Sequence, residues 1–357
     1  MDKFKLSKTQ AQLAELSEEQ LAYDQTALDA LTIDEPEQNS LTIKILSALG
    51  GVFGSLAFVG FMFIAGIYRS EISLAISGFI FLIMGIVIPR ISRKIIWDTT
   101  SASFYLIGFF SLSFGVDALN LSTNMFIGLC MLIALLTIGI ARNYLLTFLS
   151  VLTIIGLGVF WMEENNSSYL IHPYIIINSL LLGYLFMNEA RLLLLRPYGF
   201  ALYYPLRTGL MFGLLFLMLI GGSFIELISL QQHGNWSSSM VIILLVGYLF
   251  FRVAEILGVE KLWQKVLIAL LVISLLSPTW FYVPIAFSLF VLLLSFYSNY
   301  RTGLILGFLS FIYFLSRFYY DLNYSLLNKS IILFGSGIFF LLIYLLFYKK
   351  LRTNEKI

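Results

Sequence analysis

Apolar stretches of membrane-crossing length follow one another from Lys44 to Lys350, separated by short polar connections. A helix needs roughly 20 apolar residues to cross a bilayer core, or about 17 where the fit is tight. On that measure the predicted spans are 45–67, 72–88, 100–118, 124–140, 144–162, 172–188, 208–230, 239–257, 262–277, 279–297, 303–319 and 329–348. The expected fold class is therefore all-α, a polytopic integral membrane helix bundle of about 12 transmembrane helices. Pro278 is the only break between 262–277 and 279–297, so that pair reads either as two spans or as a re-entrant hairpin.

The polar remainder divides the chain further. Residues 1–43 form a polar, amphipathic N-terminal segment in which Lys3, Lys5 and Lys8 face nine acidic side chains. Ser7 with Gln10 and Ser17 with Gln20 have capping-box spacing, and Leu6/Leu13 and Leu21/Leu28 recur at seven residues. One or two short helices follow from this, as a solvated tail or as a docking element. The transmembrane domain is 44–350, in two six-helix halves, 45–188 and 208–348. They are joined by a loop, 189–207, whose Arg191, Arg196 and Arg207 lie among Tyr198, Phe200, Tyr203 and Tyr204. Tyrosine with arginine suits the headgroup layer, as an anchor or a lipid site. Residues 351–357 form a short tail, and the long polar start predicts no cleavable signal peptide.

Charge placement orients the bundle. With the N-terminus inside, all but three of the 22 lysines and arginines fall on the cytoplasmic side, the exceptions being Arg69, Arg317 and Lys329. That asymmetry predicts both termini in the cytoplasm. Composition agrees: 59% of residues are hydrophobic and 12% charged, with a mean hydropathy of +0.91. A soluble domain of this size needs far more polar surface. The net charge of +2 gives no nucleic-acid footprint. One cysteine, Cys130, and two distant histidines, His172 and His233, predict neither a disulfide nor a metal site. No cofactor is expected.

Small residues cluster on the first span, with Ser47, Gly51 and Ser55 at successive turns beside Gly50 and Gly54; the spacing predicts close helix packing inside the bundle. Gly156 and Gly158, and Gly335 and Gly337, are expected to act likewise. Chemistry is harder to find. No G-x-S-x-G, H-E-x-x-H or Walker A spacing occurs, and the adjacent Glu163 and Glu164 diverge rather than converge. No catalytic residue is predicted. Ionisable groups within or near the membrane are the default candidates. At the outer face these are Asp117, Glu226, Arg317, Asp321 and Lys329, accompanied by Tyr319, Tyr320 and Tyr324. Arg317 and Asp321 are spaced to pair on one helix face. They frame a shallow binding site at the tip of the last hairpin, for a lipid headgroup or a peptide. The other reading is an ordinary aromatic belt.

The same hairpin carries a resemblance. Tyr319-Tyr320, Leu322, Leu326-Leu327, Lys329-Ser330 and Gly335 or Gly337 resemble the terminal hairpin of a bacterial family of unknown function. Its members are polytopic inner-membrane proteins, often encoded beside a protein with a GDYXXLXY motif. The acidic N-terminal helix before a first span rich in glycine (Gly50, Gly51, Gly54) is also similar to related membrane proteins. The resemblance implies an integral inner-membrane protein with a membrane-anchored partner, and no reaction. Two function classes follow: a non-enzymatic component that binds a partner protein or lipid through the hairpin tip, or a secondary transporter or lipid-translocating protein suggested by the six-plus-six division. An intramembrane enzyme ranks behind both.

Overall fold

A computed structural model describes residues 41–66, 70–91, 95–116, 121–141, 143–189, 196–223, 236–256 and 282–321, with isolated positions at 192, 266, 327, 330, 334 and 337. Among these residues the regular structure is all helical. The helices are α1 (Leu41–Ile64), α2 (Glu71–Ile91), α3 (Ile95–Phe114), α4 (Thr123–Ala141), α5 (Tyr144–Glu164), α6 (Ile171–Met187), α7 (Arg196–Ser223), α8 (Trp236–Ile256), α9 (Val283–Tyr297) and α10 (Arg301–Asp321). The predicted spans 262–277 and 329–348 lie almost wholly outside the described residues. The described parts of the other ten predicted spans are helical apart from one or two residues at their ends. Seven helices among the described residues are long and apolar enough to cross a membrane.

The connections follow from local chemistry. Asn143 caps α5, its side chain accepting from the Leu145 backbone N–H at 2.8 Å. The α5–α6 turn runs through Asn166 (φ 49°) and the α9–α10 turn through Asn299 (φ 52°), left-handed conformations that asparagine tolerates better than most residues. Pro89 in α2 and Pro205 in α7 lie beyond the first turn of their helices.

The start of α7 differs from expectation. Helix begins at Arg196, so the latter part of the predicted 189–207 loop is helical and Pro205 does not interrupt it. Proline removes one backbone donor, and such a loss is tolerated where neighbouring groups re-satisfy the backbone. The Thr208 hydroxyl supports this turn, donating to the Tyr204 carbonyl at 2.8 Å and lying 3.3 Å from that of Pro205.

Helices α2 and α3 touch backbone to backbone. A Cβ added at Gly78 would lie 2.7 Å from Leu112 Cγ and 3.0 Å from the Gly108 oxygen; one added at Gly108 would meet Leu82 Cγ and the Gly78 oxygen at the same distances. Gly85 faces Ser101, whose hydroxyl donates to the Gly85 carbonyl at 2.6 Å, and Gly115 abuts Ala75. Gly78 and Gly85, and Ser101, Gly108 and Gly115, recur every seven residues. The two small-residue rows therefore meet along the whole pair, as close membrane packing requires.

Helix α1 behaves differently. Ser55 is buried and Phe58 packs edge-on against Phe81 and Phe104, but a Cβ at Gly50, Gly54 or Gly60 would meet nothing within 4 Å among the described residues. The side chains of Ser47 and Gly51, part of the predicted packing stripe, are outside the described residues. Gly158 sits tightly against Tyr174, whereas Gly156 and Gly337 have nothing within 4 Å among the described residues; Gly335 is outside them.

The larger apolar core combines α5 and α6 with α7, α8, α9 and α10, centred on Ile175, Leu182, Met211, Leu214, Ile242, Val246, Phe287 and Leu294. Both halves expected from the sequence contribute to it. A smaller core joins α2 to α5 around Tyr105, Leu112, Cys130 and Leu146. Some buried hydroxyls in these cores return to their own helices, Thr137 donating to the Ile133 carbonyl and Ser150 to that of Leu146, whereas those of Ser111, Thr147, Ser179, Ser239 and Ser295 have no hydrogen-bond partner among the described residues. The local bond lets a polar group enter an apolar interior. Large apolar side chains face outward instead, Ile72, Ile76, Ile80 and Ile83 along α2 among them. So much exposed apolar surface suits lipid as the surrounding solvent.

Candidate functional site

The predicted outer site is described at its α10 end. Arg317 lies one turn after Tyr313 and donates from Nη1 to the Tyr313 hydroxyl at 3.5 Å. Phe318 packs on Tyr282 at 5.4 Å between centroids, and Tyr319 meets Tyr320 edge-on at 5.8 Å. Tyr320 is 78% exposed at the end of the helix. Asp321 is the last residue of α10. Its side chain, and Asp117, Glu226, Tyr324 and Lys329, lie outside the described residues, as does the pairing of Asp321 expected from the sequence.

Ordered polar contacts gather at the other end of the bundle. Arg90 donates to the Ile140 carbonyl at 2.9 Å, tying the end of α2 to that of α4. Asn143 donates to Asp98 at 2.7 Å, and the Tyr144 and Thr208 hydroxyls lie 2.8 Å apart. These bonds join the start of α3, the start of α5 and the first part of α7 at one level.

Arg207 lies at the centre of this level. Its side chain is only 4% exposed, and its guanidinium carbon lies over four rings: Tyr300 at 4.3 Å, Phe186 at 5.0 Å, and Tyr203 and Tyr204 at 5.2 Å each. Arg207 Nη1 donates to Glu189 at 3.3 Å and to the Tyr203 hydroxyl at 3.4 Å, and Tyr203 in turn donates to the Leu185 carbonyl. Each ring face is electron-rich and attracts the cation, more strongly where water is excluded. Burial, helped by the nearby Tyr144, pushes the Tyr300 hydroxyl above its ordinary value, against the opposing pull of the Arg207 charge and a hydrogen bond with Thr302. The sequence reading placed Arg207, Tyr203 and Tyr204 in an interfacial loop. Structure moves them into a helix and buries Arg207 and Tyr203, because Phe186 and Tyr300, distant in sequence, close over them. One signal was available: tyrosine four residues before arginine, at Tyr203–Arg207, Tyr248–Arg252 and Tyr313–Arg317.

Within the core, His172 Nδ1 lies 3.0 Å from the Ser238 hydroxyl, linking α6 to α8. Cys130 is buried as a free thiol. No group of three or more His, Cys, Asp or Glu side chains close enough to hold a metal ion occurs among the described residues.

Neither the curated proteins nor the solved structures include a match to this chain. A family profile does match, over residues 40–350, from the start of α1 to the lysine pair that ends the last apolar run. The chain thus belongs to the family defined by the domain of unknown function DUF4401.

Proposed function

We propose that this protein is a non-enzymatic, multi-pass component of a bacterial inner membrane, crossing twelve times with both termini in the cytoplasm. We further propose that it binds a partner protein or a lipid through the hairpin tip after α10. The observation that carries this reading is Tyr320, an aromatic side chain left 78% exposed at the end of a candidate span. That span, Arg301–Tyr320, is the least covered of the seven, with 17% of its apolar window buried. An exposed aromatic beside a cation is a common anchor in recognition surfaces. The positive-inside asymmetry supports the orientation, since it sets Arg317 and Lys329 apart from the other basic residues. A membrane-anchored protein is the partner class that the sequence resemblance favours.

Transport or lipid translocation needs a polar path to the bilayer midplane. Support for binding over transport comes from the larger core, filled by Ile175, Leu182, Leu214, Val246, Phe287 and Leu294. The deciding experiment is purification in mild detergent with identification of co-purifying protein and lipid. Tyr320→Ala and Asp321→Ala should each weaken retention of the partner while insertion stays normal. If both variants keep every partner, the tip is only an aromatic belt and this reading fails. Reporter fusions after Arg142 and Lys350 should read cytoplasm, and those at Asn166 and Asn323 the opposite side. A cytoplasmic signal at Asn323 with an external one at Lys350 would remove the twelve-span arrangement.

A further inference from the structure

We infer that Arg207 is the seat of a second binding site, one that takes a phosphate oxyanion at the arginine-rich end of the bundle. The argument begins with how the guanidinium spends its donors. Arginine carries five N–H groups, and those of Nε and Nη2 form the side edge that grips two oxygens of one oxyanion. The hydrogen bonds of Arg207 among the described residues leave only from Nη1, to Glu189 and to Tyr203. At 3.3 and 3.4 Å both exceed the roughly 2.7–2.9 Å of a strong charge-assisted bond. Nε is fully buried and has no hydrogen-bond partner among the described residues. A buried charged donor without an acceptor is costly, and native structures seldom keep one without a use.

The surroundings select the ligand. Phe186 and Tyr300 come from the end of α6 and the α9–α10 turn, so the ring cluster lies at the end of the bundle that the charge asymmetry assigns to the cytoplasmic headgroups. Arg90, Arg252 and Arg301 belong to the same end and raise the local concentration of anions. The four rings hold the guanidinium plane in place before any ligand arrives, which lowers the ordering cost of binding. Glu189 is the movable member: its side chain is 28% exposed against 4% for Arg207, and it follows the end of α6. In the bound form the phosphate takes the side edge, and the Glu189 carboxylate turns to water. Charge stays balanced, with one anion replacing another beside the same cation. The site is independent of the hairpin tip, since α10 alone separates the two by about 30 Å.

The test measures binding of three probes to the full-length purified protein: phosphatidylglycerol, phosphatidylcholine and inorganic phosphate, by native mass spectrometry and by thermal shift. Wild-type protein should retain phosphatidylglycerol. Arg207→Lys, which keeps the charge but loses the planar side edge, should weaken retention by about tenfold. Glu189→Gln, which removes the negative charge beside the guanidinium, should strengthen it several-fold. Competition by millimolar inorganic phosphate assigns the site to soluble phosphate groups. Retention of the lipids without such competition assigns it to headgroups, and preference for phosphatidylglycerol over phosphatidylcholine shows that net charge matters. Should Arg207→Lys fail to fold, Glu189→Gln alone decides. Unchanged binding in Glu189→Gln, or no binding of any probe by the wild-type protein, overturns the inference.

Discussion

Arg207 and Arg252 start from the same local chemistry and end in opposite surroundings. Each follows a tyrosine by four residues on one helix face, and each donates to that tyrosine's hydroxyl, at 3.4 Å for Arg207 and 3.0 Å for Arg252. Arg252 remains exposed, with its guanidinium carbon 5.6 Å from the Tyr248 ring centre. Arg207 is closed over by three further rings and a carboxylate, two of the rings from distant parts of the chain. Helix geometry supplies the first contact in both cases, since residues four apart share a face. Long-range packing supplies the burial. The same pair thus makes a surface clasp in α8 and the centre of a polar layer in α7.

Removing the guanidinium tests the contrast most severely. Arg207→Ala should lower unfolding free energy by roughly 3 kcal/mol in detergent, because Glu189 loses its partner and the rings lose what they pack around. The partial exposure of Glu189 keeps the figure near the lower end of that range. Next comes Tyr300→Leu, which removes the nearest ring and should cost about 1–2 kcal/mol. Combined with Arg207→Ala it should cost less than the sum, since both remove one interaction; full additivity would mean that the ring does not act through the cation. Glu189→Gln should cost under about 1 kcal/mol, as expected of a partly solvated pair. Smallest of all, Arg252→Ala should shift stability by under about 0.5 kcal/mol, in line with an exposed cation–ring contact. A loss at Arg252 comparable with that at Arg207 would erase the distinction.

Much of the helical layout was legible because each span must satisfy its own backbone in lipid, which leaves a long apolar run in the sequence. The Arg207 site was not. Its residues lie at 186, 189, 203, 204, 207 and 300, and nothing local announces that a turn after α9 folds onto the start of α7. Pro205 lies inside α7, since proline within a membrane helix is often accommodated. The glycines teach the same lesson. Gly50 and Gly54 follow the familiar spacing and meet no neighbour within 4 Å among the described residues, while Gly78 and Gly85 on α2 and Gly108 and Gly115 on α3, each pair seven apart, line a backbone-to-backbone contact. A small residue permits approach; a second helix must be placed to take it.

The α2–α3 pair has a consequence for biogenesis. Its two helices are consecutive, with only residues 92–94 between them, so the whole contact is local in sequence. Contacts of that kind close early, because little chain entropy is lost in bringing their ends together. The hairpin Glu71–Phe114 is then a unit that can zip shut in the bilayer as soon as α3 leaves the ribosome and the insertion machinery, before α7 or α10 has been synthesised. The polar layer around Arg207 obeys the opposite schedule. It waits for Tyr300, near the end of the chain, and so closes only after nearly all of the protein has been made.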